Sequence, residues 1–188
     1  MDWIDPKPAP RPLALVQDFV NTASRYHEHD ALTTPQQATV ALAAIGLLAT
    51  NDQLEEPDRQ RLVAVREALR GLLLAHNGSA GHEADAHART LDELVRTVPI
   101  GVRFSPAGQP TLQPPVNGTP VDRAIGRLLA VIAAADAGRY WQRLKACRSE
   151  SCRWAFYDAS KNRSGRWCDM NVCGVRDKMR TYRLRRSG

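Results

Sequence analysis

The sequence predicts a mainly α-helical protein: a helical N-terminal domain with one small β-hairpin over residues 1–140, then a treble-clef-like zinc module with four cysteine ligands over residues 141–188. Three observations support this fold class. Apolar residues recur at helical spacing through most of the first domain, one short stretch alternates instead, and all four cysteines lie in the last quarter of the chain. A chain of 188 residues can form one sizeable core with a small appendage.

The helices of the first domain are indicated by apolar spacing and by start signals. A capping hydroxyl followed by proline stands at Thr34–Pro35 and again at Thr119–Pro120. Between them, the alternation in IGVRFSPAGQPTLQ predicts a single hairpin near Val102 to Leu112. The clearest helix has charged residues on one side and an apolar side formed by Leu62, Val65, Leu69, Leu72 and Leu73.

Charge is distributed unevenly between the two parts. Residues 139–188 hold 14 Lys and Arg against 4 Asp and Glu, whereas residues 1–138 hold 12 against 16, so +10 and −4 make up the net charge of +6. A basic C-terminal part suggests a polyanionic partner. The longest near-apolar run, Val40 to Ala49, is too short to span a membrane, and the N-terminus does not resemble a secretory signal. We therefore expect no membrane association and a cytoplasmic location, where thiols stay reduced.

The four cysteines form two pairs with the same internal spacing. Each pair is C-x4-C, fifteen residues separate the pairs, and the members are Cys147, Cys152, Cys168 and Cys173. Two such knuckles are typical of a structural Zn²⁺ site, because four thiolates complete a tetrahedron around the ion. Disulfides or unrelated buried thiols are the alternative. The strand-like RWAFYD and the later RWC predict a hairpin between the knuckles, with Trp154 and Trp167 in the module's core.

A final helix is predicted after Cys173. Its apolar residues Val175, Met179 and Tyr182 share one stripe, which we expect to pack on the zinc core. Its cations are the candidate nucleic-acid contacts: Arg176, Lys178, Arg180, Arg183, Arg185 and Arg186. In the alternative interpretation these residues neutralise the thiolate centre, pair with the acidic body or are simply solvated.

Motifs of common enzymes are missing from the sequence. There is no G-x-S-x-G, no glycine-rich phosphate loop and no H-E-x-x-H, and residues 141–188 contain no histidine that could activate a cysteine. We therefore expect a protein that is not an enzyme. The cluster from His27 to Asp30 has no complementary ligands in sequence, so we interpret it as an exposed loop.

The residues LALVQDFVNT near the start and C-x4-C…FYDASKN…RWCDMNVCGVR at the end resemble the CGNR zinc-finger family with its N-terminal ABATE domain. The resemblance implies a zinc-binding and DNA-binding transcription regulator related to stress. The family's metal ligands fall on the four cysteines, and its name motif falls on residues 173–176. Val175 stands where the family has Asn, so the ligands are kept and any hydrogen bond from that Asn is lost.

The N-terminal motif contains three polar residues, Asp18, Asn21 and Thr22, within an apolar helix. They are expected to join a buried polar network, and Asp18 and Asn21 are alternatively candidates for lining a ligand pocket.

Three functional hypotheses follow. The first is a regulator whose zinc module contacts DNA while the body senses a signal or forms a homodimer. The second is an adaptor that docks an acidic protein. The third is a small-ligand-binding protein with a structural zinc module.

Overall fold

The computed structural model describes residues 7–78 and 82–186, and it confirms a mainly helical fold with small antiparallel hairpins. The first part contains α1 (Ala14–Val20), β1 (Ala23–Ser24), β2 (His29–Asp30), α2 (Pro35–Ala44), α3 (Glu56–Ala75), α4 (His82–Val95), β3 (Gly101–Phe104), β4 (Pro110–Gln113) and α5 (Pro120–Ala137). The C-terminal part contains β5 (Leu144–Ala146), β6 (Ala155–Tyr157) and α6 (Val175–Arg186). Within these ranges, no helix is long and apolar enough to cross a bilayer.

The predicted hairpin is confirmed as β3–β4, in which Val102 lies opposite Leu112. Two further antiparallel pairs accompany it, β1 with β2 and β5 with β6, each only two or three residues long.

The predicted helix starts are also present. Thr34 accepts a hydrogen bond from the Gln37 N–H at 3.2 Å, and Thr119 accepts one from the Asp122 N–H at 3.2 Å. Each hydroxyl therefore satisfies an amide that a helix N-terminus leaves without a partner.

The core lies between α1, α3 and α5. Phe19, Leu62, Leu69 and Ile125 are fully or almost fully buried there, and Leu72 is the one member of the predicted α3 stripe that is only half-buried. The expectation that charged residues of α3 face solvent is wrong for two of them. Arg66 and Arg70 are 2% and 5% exposed, because this side of the helix lies against the end of α1 and against the zinc module.

Arg66 is held in its buried position by acidic partners. Its guanidinium forms a two-pronged pair with Asp30 at 2.6 and 2.7 Å and a third contact with Glu67 at 2.8 Å. A planar fork of donors matches a carboxylate well, so the buried charge keeps its hydrogen bonds. The pair also joins β2 to α3 and so attaches the β1–β2 hairpin to the helical body.

The strands of the zinc module belong to the same core as the helices. Leu144, Ala146 and Ala155 are completely buried and are part of one apolar cluster with α1, α3 and α5. The division at residue 140 stays a prediction about sequence modules, but the two parts share one apolar core. Loss of the module's structure is therefore expected to reach the helices.

Helix α5 passes very close to the Pro114–Pro115 segment at Gly126. A Cβ built on this glycine would lie 2.8 Å from Pro115 Cδ and 3.2 Å from Pro114 Cα. Such distances are below normal contact, so only glycine lets the helix approach this backbone without a shift.

We therefore predict that Gly126→Ala lowers stability. Alanine in a helix interior normally stabilises by about 0.5–1 kcal/mol relative to glycine, but overpacking costs about 1–3 kcal/mol. Thermal unfolding should show a lower Tm than wild type. Gly101→Ala is the matched control, because its Cβ would meet nothing nearer than 4.0 Å. A Gly126→Ala protein that melts at or above the wild-type temperature would contradict the close approach.

Candidate metal centre

The fold brings the four cysteines together from distant points of the chain. Cys147 follows β5 directly, Cys152 lies in the turn before β6, and Cys168 and Cys173 lie on either side of the turn that leads into α6. All four are buried, and their Sγ atoms lie within 4.8 Å of one another.

The sulfur positions match a tetrahedral zinc site. Cys168 Sγ lies 3.6 Å from Cys152 Sγ and 3.8 Å from Cys173 Sγ. With Zn–S bonds of about 2.3 Å, the edge of a tetrahedron is about 3.8 Å. The distances are also far beyond an S–S bond, which excludes the disulfide alternative in this structure. The four thiolates bind zinc.

Crowded thiols need a cation. Hydrogen bonds from the thiols of Cys152 and Cys168 lower the pKa of Cys147, whereas hydrogen bonds with Cys147 and Cys152 raise the pKa of Cys168. Burial and the neighbouring sulfur charges raise the pKa of Cys173 to about 12. A divalent ion supplies the positive charge that makes four neighbouring thiolates stable together.

The backbone of each knuckle is shaped by local hydrogen bonds. In the first, the Cys147 N–H donates to Trp154 O at 2.9 Å and the Cys152 N–H donates to Ser149 O at 3.0 Å. In the second, the Cys173 N–H donates to Asp169 O at 3.0 Å, while Asp169 Oδ1 accepts from the Asn171 N–H at 2.7 Å. Local backbone hydrogen bonds therefore shape both knuckles around their cysteines.

The position of Gly174, next to the last ligand, lies close to the side chains of Met170 and Trp167. A Cβ at this position would lie 2.4 Å from Met170 Sδ and 3.2 Å from Trp167 Cδ1. Trp154 and Trp167 pack against the cysteine cluster, as the sequence predicts. Any side chain on residue 174 would push Met170 away and disturb this apolar cover.

The predicted hairpin between the knuckles is wrong. β6 pairs with β5, with Ala146 opposite Ala155, so the strands flank the first knuckle, and RWC forms no strand. The reason is a buried ion pair that organises the intervening loop. Lys145 Nζ donates to Asp158 Oδ2 at 2.7 Å, to Arg163 O at 2.5 Å and to Gly165 O at 3.2 Å. The loop wraps around this ammonium group rather than returning as a strand.

Polar side chains of the helical body complete the backbone hydrogen bonds of the module. Asn21 donates to Ala155 O at 2.9 Å and accepts from the Ala155 N–H at 2.8 Å, so its side-chain amide pairs with the backbone of β6 as a neighbouring strand would. Asn77 donates to Ala146 O at 2.8 Å and to Arg166 O at 2.9 Å.

Arg70 links three segments in the same way. It donates to Val20 O at 2.6 Å and to Arg153 O at 2.9 Å, and its Nε contacts Glu67 at 3.0 Å. Arg153 follows the ligand Cys152 and has a positive φ of 56°. A buried guanidinium from the body therefore fixes the backbone next to a metal ligand.

Asp18 and Asn21 have different surroundings. Asp18 is exposed and lies in a surface depression with Arg11 and Arg127, whereas Asn21 contacts the zinc module. The depression beside Asp18 does not include Asn21, and a ligand pocket at these two residues stays a prediction.

The other polar residues singled out near the N-terminus have structural surroundings. Thr22 joins the polar network, because its hydroxyl accepts from Arg66 at 3.3 Å. The His27–Asp30 segment comprises the end of the β1–β2 turn and strand β2. Among the described residues, the cysteines are the only group of three or more potential metal ligands that comes together.

The predicted packing of the α6 stripe on the zinc core is wrong. Val175, Met179 and Tyr182 are 48%, 49% and 56% exposed. The side chains that pack against the cysteine cluster are instead Trp154, Trp167 and Val172.

The basic residues of α6 are all exposed, and several have partners within the chain. Arg176 donates to the Tyr26 hydroxyl at 2.8 Å, and its guanidinium carbon lies 4.4 Å from the centre of that ring. Arg180 contacts Asp177 at 3.2 Å and Glu150 at 3.7 Å. Arg186 lies over the Tyr182 ring. Their roles toward nucleic acid stay a prediction.

We predict that Asp158→Asn destabilises the chain. The side chains of Lys145 and Asp158 are 5% and 4% exposed, so the change leaves a buried ammonium without its counterion. Loss of one partner of a buried pair costs about 3–5 kcal/mol, which urea unfolding at neutral pH would measure. Lys145→Met combined with Asp158→Asn should recover part of the loss. A single variant as stable as wild type would contradict the role of the pair.

The same pair gives the stability a pH dependence. Burial alone would raise the pKa of Asp158, but hydrogen bonds from Lys145, Ser160 and the Gly165 N–H lower it to about 2 from 3.8. The advantage of wild type over Asp158→Asn should therefore be complete above about pH 4 and should disappear as the pH falls towards 2.

We predict one zinc ion per chain and its loss in Cys168→Ser. Because β5 and β6 are part of the shared core, metal loss should lower the Tm of the helices as well as of the module. Elemental analysis and thermal circular dichroism would measure the two effects. Ser151→Ala, an exposed change beside Cys152, is the matched control. Zinc-free variant protein whose helices melt as in wild type would show that the two parts are energetically separate.

Comparison with known families agrees with this geometry. Residues 143–186 match the model of the CGNR zinc finger, and residues 13–139 match the model described as "Putative stress-induced transcription regulator", named ABATE. No curated protein matches the chain. The second model covers well over half of the sequence, and the first includes all four metal ligands. The chain therefore belongs to the ABATE family and carries a C-terminal CGNR zinc finger.

Proposed function

We propose that the chain is a zinc-dependent transcription regulator in which α6 contacts DNA and the helical body senses a signal or dimerises. The observation that carries the proposal is the exposed face of α6, where an apolar stripe lies between two rows of cations. In this proposal the chain acts by binding and has no catalytic activity. Its place is the cytoplasm, where DNA and reduced thiols occur together.

The arrangement of α6 follows from helical geometry. At 100° per residue, Val175, Met179 and Tyr182 fall within about 60° of one another. Arg180 and Arg183 lie on one flank of this stripe, and Lys178 and Arg185 lie on the other. The helix carries six basic residues against one acidic residue, Asp177.

This face fits a DNA groove. The major groove is about 12 Å wide and admits an α-helix. Cations on both flanks would then face the phosphates of the two strands, which gives affinity without sequence information. The apolar stripe would face the base edges, where it can contact thymine methyl groups. Arg180, with weak surface partners, can exchange them for phosphate at little cost.

Zinc and the body supply orientation in this proposal. The centre fixes the start of α6 at Cys173, and the Arg176–Tyr26 contact fixes the same end to the β1–β2 turn. The acidic balance of residues 1–138 favours an approach to DNA through α6 alone. A regulator that reads paired half-sites would also need two copies.

The test is DNA binding by variants of each flank. Lys178→Ala with Arg185→Ala, and separately Arg180→Ala with Arg183→Ala, should each weaken binding to a similar extent on all sequences. The slope of log affinity against log salt should become shallower by about 0.9 for each phosphate contact removed. Met179→Ala with Tyr182→Ala should instead reduce discrimination between sequences selected from a random pool.

Arg103→Ala is the control, since Arg103 is an exposed cation on the β3–β4 hairpin, away from α6. Zinc content should be unchanged in every variant. Variants that lose zinc would support the interpretation in which these cations serve the thiolate centre. Wild-type protein without salt-sensitive DNA or RNA binding near physiological ionic strength would reject the proposal and favour an adaptor for acidic proteins.

A further inference from the structure

A large cavity lies where the helical body meets the zinc module. Its volume is about 960 Å³, within the range of small-molecule sites, which is about 300–1,000 Å³. The end of α3, the outer side of α5, the β3–β4 hairpin, β5 and the module's long loop all contribute to it. Its apolar lining is formed by Ile100, Leu112, Leu129, Ile132, Ala133 and Trp141.

His76 supplies one of the hydrogen-bond acceptors in the lining of this cavity, beside Asp136 and Gln142. His76, at the end of α3, donates from Nδ1 to Leu144 O at 2.9 Å. Because a carbonyl only accepts, Nδ1 carries the proton, and burial lowers the pKa of His76, which favours the neutral ring. Nε2 then holds a lone pair. It has no hydrogen-bond partner in the described part of the chain, and it is open to solvent.

The acceptor is held next to a flat apolar surface. The rings of His76 and Trp141 meet edge to face, with centroids 5.1 Å apart and an angle of 88° between their planes. Both side chains line the cavity. A ligand ring that packs on Trp141 would therefore carry its polar group close to Nε2.

The charges around the cavity favour a neutral ligand. The Lys145 ammonium has three partners within the protein, Asp158, Arg163 O and Gly165 O, so its charge is already neutralised. Asp136 and the Arg163 side chain also line the cavity and carry opposite charges. Neither an anion nor a cation is clearly preferred by this set.

We propose that this cavity binds a small, neutral molecule with a flat apolar ring and a hydroxyl group that donates to His76 Nε2. The site gives the sensing role in the proposed function a location and a ligand class, and to that extent it rests on that function. It does not depend on DNA contact. Leu144 and Lys145 both lie on β5, directly before the ligand Cys147, so an occupant touches the strand that leads to the metal.

The experiment uses the zinc-loaded full chain without DNA and two matched probes, p-cresol and 4-methylanisole. The probes differ in that only p-cresol can donate a hydrogen bond. Chemical shifts of backbone amides and of the Trp141 indole would be followed by NMR during titration. We expect p-cresol to shift signals around the cavity and to bind about tenfold more tightly than 4-methylanisole, as expected for one hydrogen bond.

Two variants separate the contributions. Ala133→Trp fills the cavity from an exposed position on α5 and should abolish p-cresol binding, whereas Ala134→Trp, on the same helix but outside the cavity, should not. His76→Asn keeps an N–H donor for Leu144 O and removes Nε2. It should bind both probes equally weakly. Zinc content and circular dichroism would verify that each variant is folded.

Four results would overturn the proposal. They are equal affinity of wild type for the two probes, unchanged p-cresol binding by Ala133→Trp, no shifts at millimolar concentrations of p-cresol, and a change of oligomeric state in Ala133→Trp by sedimentation velocity. The last would show that the cavity is an interface between copies of the chain. Failure of DNA binding alone would leave the ligand site standing, because the titration contains no DNA.

Discussion

The mutual repulsion of four buried sulfurs is the constraint on which the C-terminal part of the structure depends. Thiolates less than 5 Å apart in an apolar cluster cannot all ionise without a cation, and neutral thiols alone give no strong reason for the two knuckles to converge. A bound divalent ion neutralises this repulsion and cross-links the segment from residue 147 to residue 173. The close turns at Asp169 and Gly174 and the direction in which α6 leaves the module follow from that cross-link.

Hydrogen bonds, together with the shared apolar core, attach this cross-linked unit to the helices. The strands β5 and β6 are too short to satisfy their own backbone groups. Asn21, Asn77 and Arg70 therefore donate to carbonyls that a longer sheet would have paired. A buried carbonyl without a hydrogen-bond partner lowers the free energy of unfolding. Each of these side chains therefore stabilises the fold and helps to fix the position of the zinc module on the helices. The helical body thereby behaves as a template for the zinc module.

Some of this could be predicted from sequence because the signals are local. The two C-x4-C spacings, the capping threonines and the alternation around Val102 each act within a few residues. The predictions that were wrong concern features that depend on contacts between residues far apart in the sequence. Arg66 and Arg70 have the spacing of a solvated helix face and are buried only because the β1–β2 turn and the first knuckle pack over them. The apolar residues of α6 have helical spacing but stay about half-exposed, because Trp154 and Trp167 are the side chains that pack on the cysteine cluster.

The contact between Arg176 and Tyr26 attaches the first turn of α6 to the helical body. This twelve-residue helix is about 18 Å long. A tilt of about 10° about its first turn would move the far end of the helix by about 3 Å, which is comparable to the rise of one base pair. Tyr26 lies in the β1–β2 turn, and Asp30 in the following strand β2 is paired with Arg66. A rearrangement of the β1–β2 turn that tilts α6 would therefore move the tip of the helix further than its start.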